Sequence, residues 1–302
     1  MIMIDLSRTL GKSFFDDRVR RTGLPYTFEL FLKEYQHSFL YNIRTLNQTR
    51  SLENHSSRPF NTAEIMLLYK IARRILFSMN PETAHAVTLA NLDWAVNFGV
   101  TNLITHMPDD DPVEVMGLRF PNTVGLAAGM DKDGKHVTAF GGLGFGHVEI
   151  GTITPLAQPG NPKPRLFRLI PAGGIVNRMG FNNEGVDKVL ENLRSADAFR
   201  LRGGILGINI GKNAVTPIEN ALSDYEKCLD KVYDAADYIA VNISSPNTKN
   251  LRQLQGKGEL DHLVEGIVKK REELKAARNG KHVPIAVKIA PDLENDEILR
   301  CV

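Results

Sequence analysis

Residues 238–248 read YIAVNISSPNT, an apolar run followed at once by small polar residues and a proline. The β-branched and aromatic side chains of 238–241 predict a buried strand. Because Pro246 cannot donate a hydrogen bond to a sheet, we expect that strand to end before it. Small polar side chains therefore gather at the carboxyl end of a strand, where parallel α/β barrels build their active sites. Taken alone, such a loop is more often a polar turn held by local hydrogen bonds.

The same layout recurs along the chain, which changes the interpretation. Apolar strands that end in Gly, Asn, Lys or Thr are predicted in the segments 124–134, 147–155, 205–213 and 284–292. Helical stretches, such as 219–233 and 260–277, lie between the strands. Strands that are apolar throughout are typical of a parallel sheet covered on both faces. Their alternation with helices predicts an α/β fold, a (β/α)8 TIM-type barrel, with about five of its strands in this chain.

A small helical domain is predicted before the barrel. Apolar residues recur there at helical spacing on one face, and basic residues lie off that face. The apolar set is Leu68, Ile71, Ala72, Ile75, Leu76 and Met79, and the basic set is Lys70, Arg73 and Arg74. Asn80, Pro81 and Glu82 then supply an N-cap, a first helical proline and an early acid, which predicts a second helix. The helix pair either packs on the barrel, which the pattern alone modestly favours, or lies on a membrane surface.

The amino-acid composition limits the classes of protein to which this chain can belong. The chain has 302 residues, 42% of them hydrophobic, and a formal net charge of +2, as expected of a globular protein with a large core. This small net charge lacks the strongly basic character that is typical of nucleic-acid-binding proteins. No apolar run approaches the ~20 residues that span a bilayer. Cys228 and Cys301 form no disulfide or metal pattern, and the histidines lack ligand spacing. We therefore predict no metal and a reducing compartment.

The motifs at the strand ends resemble those of the membrane-associated, quinone-dependent (class 2) dihydroorotate dehydrogenases. The resemblance covers roughly residues 65 to 302 with order and spacing kept, so chance agreement is excluded in practice. It is carried by 125–134 (GLAAGMDKDG), 149–155 (EIGTITP), 158–168 (QPGNPKPRLFR), 177–183 (NRMGFNN), 207–213 (GINIGKN), 242–248 and 286–292 (AVKIAPD).

The resemblance implies an enzyme that oxidises (S)-dihydroorotate to orotate with FMN and passes the electrons to a ubiquinone-type membrane quinone, in pyrimidine (UMP) biosynthesis. By position, the flavin contacts would be Ala128, Gly129, Met130, Asp131, Lys132, Thr152, Asn209, Asn242 and Lys288. The substrate contacts would be Lys132, Asn177, Arg178, Met179, Gly180, Phe181, Asn242 and Asn247. Ser245 would be the catalytic base. Related cytosolic classes have a Cys at that position, so the serine favours the quinone-dependent class.

The residue types suit this chemistry. Gly129 permits close backbone approach to a planar ring, and Lys132 and Lys288 are expected as buried cations near the flavin and the substrate carboxylate. A serine is a poor base unless its site is closed and its proton is relayed. Ser244 is expected on the opposite face of the strand by period-two alternation. Residues 158–164 are expected to form an ordered loop at the barrel mouth that Arg165 and Arg168 anchor, with a plain surface connection as the alternative.

Three domains follow from these motifs. Residues 1–62 are an unassigned extension, and a wrongly assigned start of the coding sequence is one explanation for it. Residues 63–108 are a helical segment that binds the membrane and the quinone. Residues 109–302 are an FMN-binding barrel. From Val113 the chain has 190 residues, whereas a complete barrel takes about 250. We therefore expect an incomplete barrel, and a chain that by itself neither holds stoichiometric FMN nor oxidises dihydroorotate. The location expected is peripheral, on the cytoplasmic side of the inner membrane if the source is bacterial.

Two alternatives remain open at this point. The first is a catalytically inactive, truncated remnant of the same family. The second is another FMN-dependent barrel oxidoreductase, which the motif around Ser245 disfavours.

Overall fold

The structure, a computed structural model, describes residues 2–5, 62–103, 111–290 and 293. Most of the predicted extension 1–62 and the predicted boundary at residue 108 lie outside the described residues. The chain divides into two compact units. The barrel unit includes the described residues 2–5, 111–162, 179–290 and 293, and the helical unit includes 62–103 and 163–178.

Short strands and helices alternate through the described residues. The strands are β1 (Ile2–Asp5), β2 (Val113–Val115), β3 (Leu118–Phe120), β4 (Gly125–Leu126), β5 (His147–Ile153), β6 (Leu166–Leu169), β7 (Gly174–Asn177), β8 (Ile205–Ile210), β9 (Tyr238–Asn242) and β10 (Ile285–Ile289). The α-helices are α1 (Thr62–Ser78), α2 (Pro81–Asn97), α3 (Val137–Gly141), α4 (Val186–Asn192), α5 (Asp197–Leu201), α6 (Ala221–Val232) and α7 (Lys257–Ala277).

The barrel unit is organised around one sheet of the order β1-β10-β9-β8-β5-β4. The pairs from β4 to β10 are all parallel, whereas β1 runs antiparallel to β10. Except in β4, these parallel strands are buried along almost their whole length, because helices supply the covering layer. The predicted alternation of five parallel strands with helices is confirmed, and the strands occur in the sheet in their sequence order.

The two helices predicted between the strands are found close to their predicted bounds. Residues 219–233 become a short 3-10 turn followed by α6, and 260–277 fall within α7. Helix α6 packs Tyr225, Leu229 and Val232 into the core, each fully buried. The Tyr225 hydroxyl donates to the carbonyl oxygen of Asn242 at 2.9 Å. This contact ties the helix to the carboxyl end of β9, where the polar loop begins.

The helical unit contains α1, α2 and the hairpin β6–β7. The side chain of Asn80 accepts a hydrogen bond from the N–H of Glu82 at 3.0 Å, with proline at the first helical position, so the predicted helix start is confirmed. Arg165 donates from Nε and Nη2 to the two carboxylate oxygens of Glu82, at 2.9 and 3.0 Å. Arg168 donates to the carbonyls of Leu76 and Met79 at the end of α1. Both arginines therefore hold the helix pair, whereas the anchoring predicted for them was that of the loop 158–164.

The predicted apolar face of α1 is exposed. Leu68, Ile71 and Ile75 are 54%, 49% and 55% exposed. No helix in the described part of the chain combines the length and the hydropathy that crossing a membrane requires.

Candidate active site

Polar residues predicted to contact a flavin lie at the carboxyl ends of the parallel strands. Thr152 is near the end of β5, Asn209 is near the end of β8, and Asn242 and Lys288 end or nearly end β9 and β10. Asn242 and Lys288 face each other in the register of those two strands. All four side chains are buried. Because the strands are parallel, their carboxyl ends meet at one edge of the sheet, which brings together residues that are far apart in sequence.

A hydrogen-bond network fixes the orientation of these side chains. The Thr152 hydroxyl donates to Oδ1 of Asn209 at 2.6 Å. The Asn242 amide donates from Nδ2 to the Thr152 hydroxyl at 2.9 Å and to the same Asn209 oxygen at 3.3 Å. Because an amide has one donor end and one acceptor end, these bonds leave each asparagine with a single satisfied orientation.

Glu149, to which sequence reasoning assigned no role, lies at the centre of this network. Its Oε1 accepts from Nζ of Lys288 at 3.1 Å and from Nδ2 of Asn209 at 2.8 Å. Its Oε2 accepts from the Tyr238 hydroxyl at 3.1 Å. Burial, together with the negative charge of Glu149, raises the pKa of Tyr238, so this hydroxyl remains a neutral donor. The available signal was the lone acid of a strand predicted to be buried, since such a residue needs a buried partner.

The loop after β4 has an open side at Gly129. This residue has φ of +114°, and no described heavy atom beyond its chain neighbours lies within 4 Å of an ideal Cβ built on it. Its N–H donates to the carbonyl of Gly151 at 2.9 Å, which joins the loop to β5. Ala128 and Met130 beside it are half-buried. The loop therefore presents backbone, without a side chain, to unfilled space.

The two charged residues of this loop, Asp131 and Lys132, contact other residues of the barrel unit. The Asp131 carboxylate accepts from the N–H groups of Lys135 and His136 at 3.0 and 2.8 Å, so it organises its own loop. Burial raises the pKa of Asp131, and these two hydrogen bonds oppose that rise. Lys132 is half-buried, where burial was expected, because its loop lies at the sheet edge, and its Nζ donates to Oδ1 of Asn182.

The loop 242–248 is held by local contacts. Both the N–H and the hydroxyl of Ser244 donate to Oδ1 of Asn242, at 3.0 and 2.9 Å. Since Asn242 and Ser244 are two residues apart, this contact agrees with the period-two alternation from which Ser244 was expected on the face opposite Ser245. The half-buried Ser245 accepts at its hydroxyl oxygen from the N–H of Asn247 at 3.3 Å. Asn161 donates from Nδ2 to the carbonyl of Asn247 at 3.1 Å, so the loop 158–162 braces this segment.

The predicted substrate set divides between the two units. Asn177 and Arg178 are exposed residues of the helical unit, at and just after the end of β7. Met179, Gly180 and Phe181 belong to the barrel unit. The Met179 carbonyl accepts from the N–H of Asn161, and the Phe181 ring is buried. The barrel unit therefore brings together Asn242, Ser245 and Asn247 directly, and Met179 to Phe181 through the loop that contains Asn161.

The residues present fit the flavin that the resemblance implies. The open side of Gly129 leaves room for the face of a planar ring. Buried amide groups at Asn209 and Asn242 offer the donors and acceptors that a ring with several polar edges requires. The buried ammonium of Lys288 lies beside them and is balanced by Glu149. Such a preformed, neutral cluster suits a cofactor whose charge changes when it is reduced.

Comparison with known proteins connects this site to one family. A family model described as dihydroorotate dehydrogenase matches residues 112–301. The dihydroorotate dehydrogenase (quinone) of Teredinibacter turnerae is 59% identical over 231 residues, covering 76% of this chain and 67% of the relative. The protein of the same name from Dechloromonas aromatica is 56% identical over 232 residues, covering 77% and 66%. The chain thus spans about two thirds of the length of these relatives.

Solved structures agree with the sequence relatives. A crystal structure of DHODH from Eimeria tenella in complex with ferulenol matches with a TM-score of 0.64 and 38% identity, covering 74% of this chain and 62% of that one. A ligand-free DHODH structure from the same organism matches with a TM-score of 0.63 and 39% identity, covering 74% and 64%. These matches confirm the barrel-type fold, and the similarities do not favour another FMN-dependent barrel oxidoreductase.

Proposed function

Because this chain belongs to the quinone-dependent dihydroorotate dehydrogenases, we propose that it oxidises dihydroorotate to orotate with FMN as hydride acceptor and a membrane quinone as final electron acceptor. The observation that carries the proposal is the buried cluster of Thr152, Asn209, Asn242 and Lys288, with Ser245 in the loop that follows. These are the positions at which the family resemblance expects cofactor and catalytic residues.

The loop of residues 128–132 and the buried cluster hold the cofactor in this proposal. When bound, FMN supplies the hydride acceptor. Gly129 offers backbone to the ring, and Lys288 offers a positive charge near groups that become electron-rich on reduction. The amide of Asn242 is shared between cofactor and substrate. Its orientation is already set by Thr152 and by the N–H of Ser244, so little reorganisation is needed when either one binds.

The substrate loses a proton from one carbon and a hydride from the neighbouring carbon, which turns a C–C bond into C=C. Ser245 accepts the proton at its hydroxyl oxygen as its own proton is passed onward. Lys132 holds the substrate carboxylate, and Asn247 binds an amide edge of the pyrimidine ring. Residues 179–181 complete the pocket wall. The N–H of Asn247 donates to the Ser245 hydroxyl, which leaves an oxygen lone pair to take the proton.

The helical unit is proposed to bind the membrane and deliver the quinone. Its helix α1 exposes Leu68, Ile71 and Ile75, and an exposed apolar stripe with basic residues off it is typical of interfacial helices. Arg73 lies over the ring of Phe77 at 4.3 Å, which keeps an arginine beside this apolar surface. The proposed location is peripheral, at the cytoplasmic side of the inner membrane if the source is bacterial.

Ser245→Ala tests the proposed reaction. In the FMN-loaded protein, this change should slow reduction of the flavin by dihydroorotate by about 10²–10⁴-fold, followed as loss of visible absorbance in a stopped-flow instrument. The flavin should remain bound, because the change removes a single described hydrogen bond, the one that the Ser245 hydroxyl accepts from the N–H of Asn247.

Ser244→Ala is the matched control. The N–H of Ser244 still holds Asn242 after its hydroxyl is removed, so flavin reduction should stay close to the wild-type rate. Near-normal reduction in Ser245→Ala would reject the base assignment. A wild-type protein whose bound flavin is not bleached by dihydroorotate would reject the function itself.

A further inference from the structure

The Glu149 carboxylate contacts two of the proposed flavin contacts, Asn209 and Lys288. It lies in β5 and its side chain is 2% exposed. Its partners Asn209, Tyr238 and Lys288 lie in β8, β9 and β10. The carboxylate therefore connects four consecutive strands of the parallel sheet behind the cluster that faces the cofactor.

The Lys288 ammonium depends on this carboxylate for charge balance. The Nζ–Oε1 distance is 3.1 Å, and the two side chains are 6% and 2% exposed. A buried cation without a partner is strongly disfavoured, since water does not solvate it. With Glu149 ionised, the pair is neutral, and the positive potential that Lys288 projects toward the cofactor is partly cancelled.

The Asn209 amide depends on the same oxygen for its orientation. Nδ2 donates to Glu149, which leaves Oδ1 to accept from Thr152 and Asn242. A group at position 149 that cannot accept would favour the flipped amide. That flip would replace an acceptor by a donor in the middle of the network.

We propose that Glu149 is a positioning residue, which sets both the charge at the flavin through Lys288 and the orientation of Asn209. This inference rests on the proposed function, because it requires that FMN binds at the cluster. It adds a residue to which the family motif assigned no part. Glu149 does not itself contact substrate or cofactor in this proposal and acts through its two partners.

The test measures the reduction potential of bound FMN together with the FMN dissociation constant. Glu149→Gln keeps the size of the side chain and removes the charge, so the uncompensated Lys288 should shift the flavin potential to more positive values. In a Lys288→Met background the same substitution should produce no such shift. Tyr238→Phe is the matched control, because it removes the bond to Oε2 and leaves the carboxylate charged, and its potential should match the wild type.

Glu149→Asp provides a second measurement, which can be made even if the Glu149→Gln protein does not fold. It keeps the charge but shortens the side chain, so the potential should stay near wild type while FMN affinity falls about tenfold or more. An Asp variant that binds FMN as tightly as wild type would overturn the positioning role.

The remaining outcomes separate the inference from the function on which it rests. An unchanged potential in Glu149→Gln, or an equal shift in the Lys288→Met background, would overturn the inference while leaving the proposed function standing. A wild-type protein that binds no FMN would overturn the proposed function, and the inference with it.

Discussion

Several buried polar side chains of the barrel unit are held by more than one partner. Asn183 illustrates this: Oδ1 accepts from the N–H of Gly185 at 2.8 Å, and Nδ2 donates to the Thr154 hydroxyl and to the Phe181 carbonyl, both at 2.9 Å. Because each lost bond would leave a buried polar group without a partner, such networks are rigid when complete. At the residue scale, the candidate site is therefore made of side chains with one preferred orientation.

Gly129 and Gly117 form a matched pair that tests where the flavin lies. Both have positive φ, +114° and +76°, and neither has a described heavy atom beyond its chain neighbours within 4 Å of an ideal Cβ. Alanine should strain the backbone at each, by about 1–3 kcal/mol or more. Only Gly129 lies in the proposed flavin loop, so Gly129→Ala alone should weaken FMN binding, by at least about tenfold, in a fluorescence titration.

Both alanine variants strain the backbone, so an effect on FMN binding in Gly129→Ala alone points to a lost flavin contact. Gly117 lies in the turn between β2 and β3, so Gly117→Ala should lower the thermal midpoint without changing FMN affinity. If both variants bind FMN as the wild type does, the ring does not pack on Gly129.

At the scale of elements, an ion pair between the half-buried Glu82 and the buried Arg165 connects parts of the helical unit. Glu82 follows the N-cap of α2, and Arg165 precedes β6; their side chains are 19% and 7% exposed. The bidentate geometry of this pair is the strong form of a charge-assisted hydrogen bond. The pair therefore fixes the hairpin β6–β7 to the start of α2, while Arg168 fixes it to the end of α1.

Glu82→Gln should make the stability of the protein less dependent on pH. The hydrogen bond from Arg165 is the main reason that the pKa of Glu82 lies below its usual range. A carboxyl whose pKa is lowered on folding stabilises the folded state above its unfolded pKa of about 4.3, and this stabilisation is lost as pH falls through the folded pKa. We expect a loss of about 1–3 kcal/mol at pH 7, which disappears at acid pH, in denaturant titrations.

Glu191→Gln is the control for this measurement. Glu191 pairs with Lys188 on an exposed face of α4, and such surface pairs contribute little. A loss in Glu82→Gln that stays constant down to acid pH would show that the carboxylate charge is not what holds the hairpin.

At the scale of the whole molecule, two compact units carry different parts of the proposed function. The buried polar cluster belongs to the barrel unit, and the exposed apolar face of α1 belongs to the helical unit. Substrate oxidation and quinone reduction are separate half-reactions that share the flavin. Changes to the apolar face should therefore affect the second half-reaction without affecting the first.

Replacing Leu68 and Ile75 by glutamate tests this separation. The double variant should bind lipid vesicles more weakly and turn over more slowly with a quinone analogue, because the apolar face no longer enters the interface. Reduction of its flavin by dihydroorotate should be unchanged. Leu201→Glu, at an 88% exposed position of the barrel unit, should alter neither vesicle binding nor turnover. Unchanged vesicle binding in the double variant would reject the membrane role of α1.

The amino-acid sequence by itself determined the local features of this protein. The capped start of α2, the extents of α6 and α7 and the strand ends that carry Asn209, Asn242 and Lys288 were all predicted. These features depend on the spacing of apolar residues, on the positions of proline and glycine, and on side-chain polarity. The sequence reveals them because helix and strand geometry repeats over a few residues. The residue motifs also carried the family resemblance, which the comparisons confirmed.

The tertiary structure alone decided which distant residues meet. Glu149 and Lys288 are 139 positions apart, and their contact depends on the order and register of four strands. The hairpin 163–178 joins the helices, although it lies inside the barrel part of the sequence. The exposure of α1 was also undecided, since a helical apolar stripe looks the same whether it packs on protein or faces outward. Periodicity specifies which face of an element is apolar, whereas only three-dimensional packing specifies what that face meets.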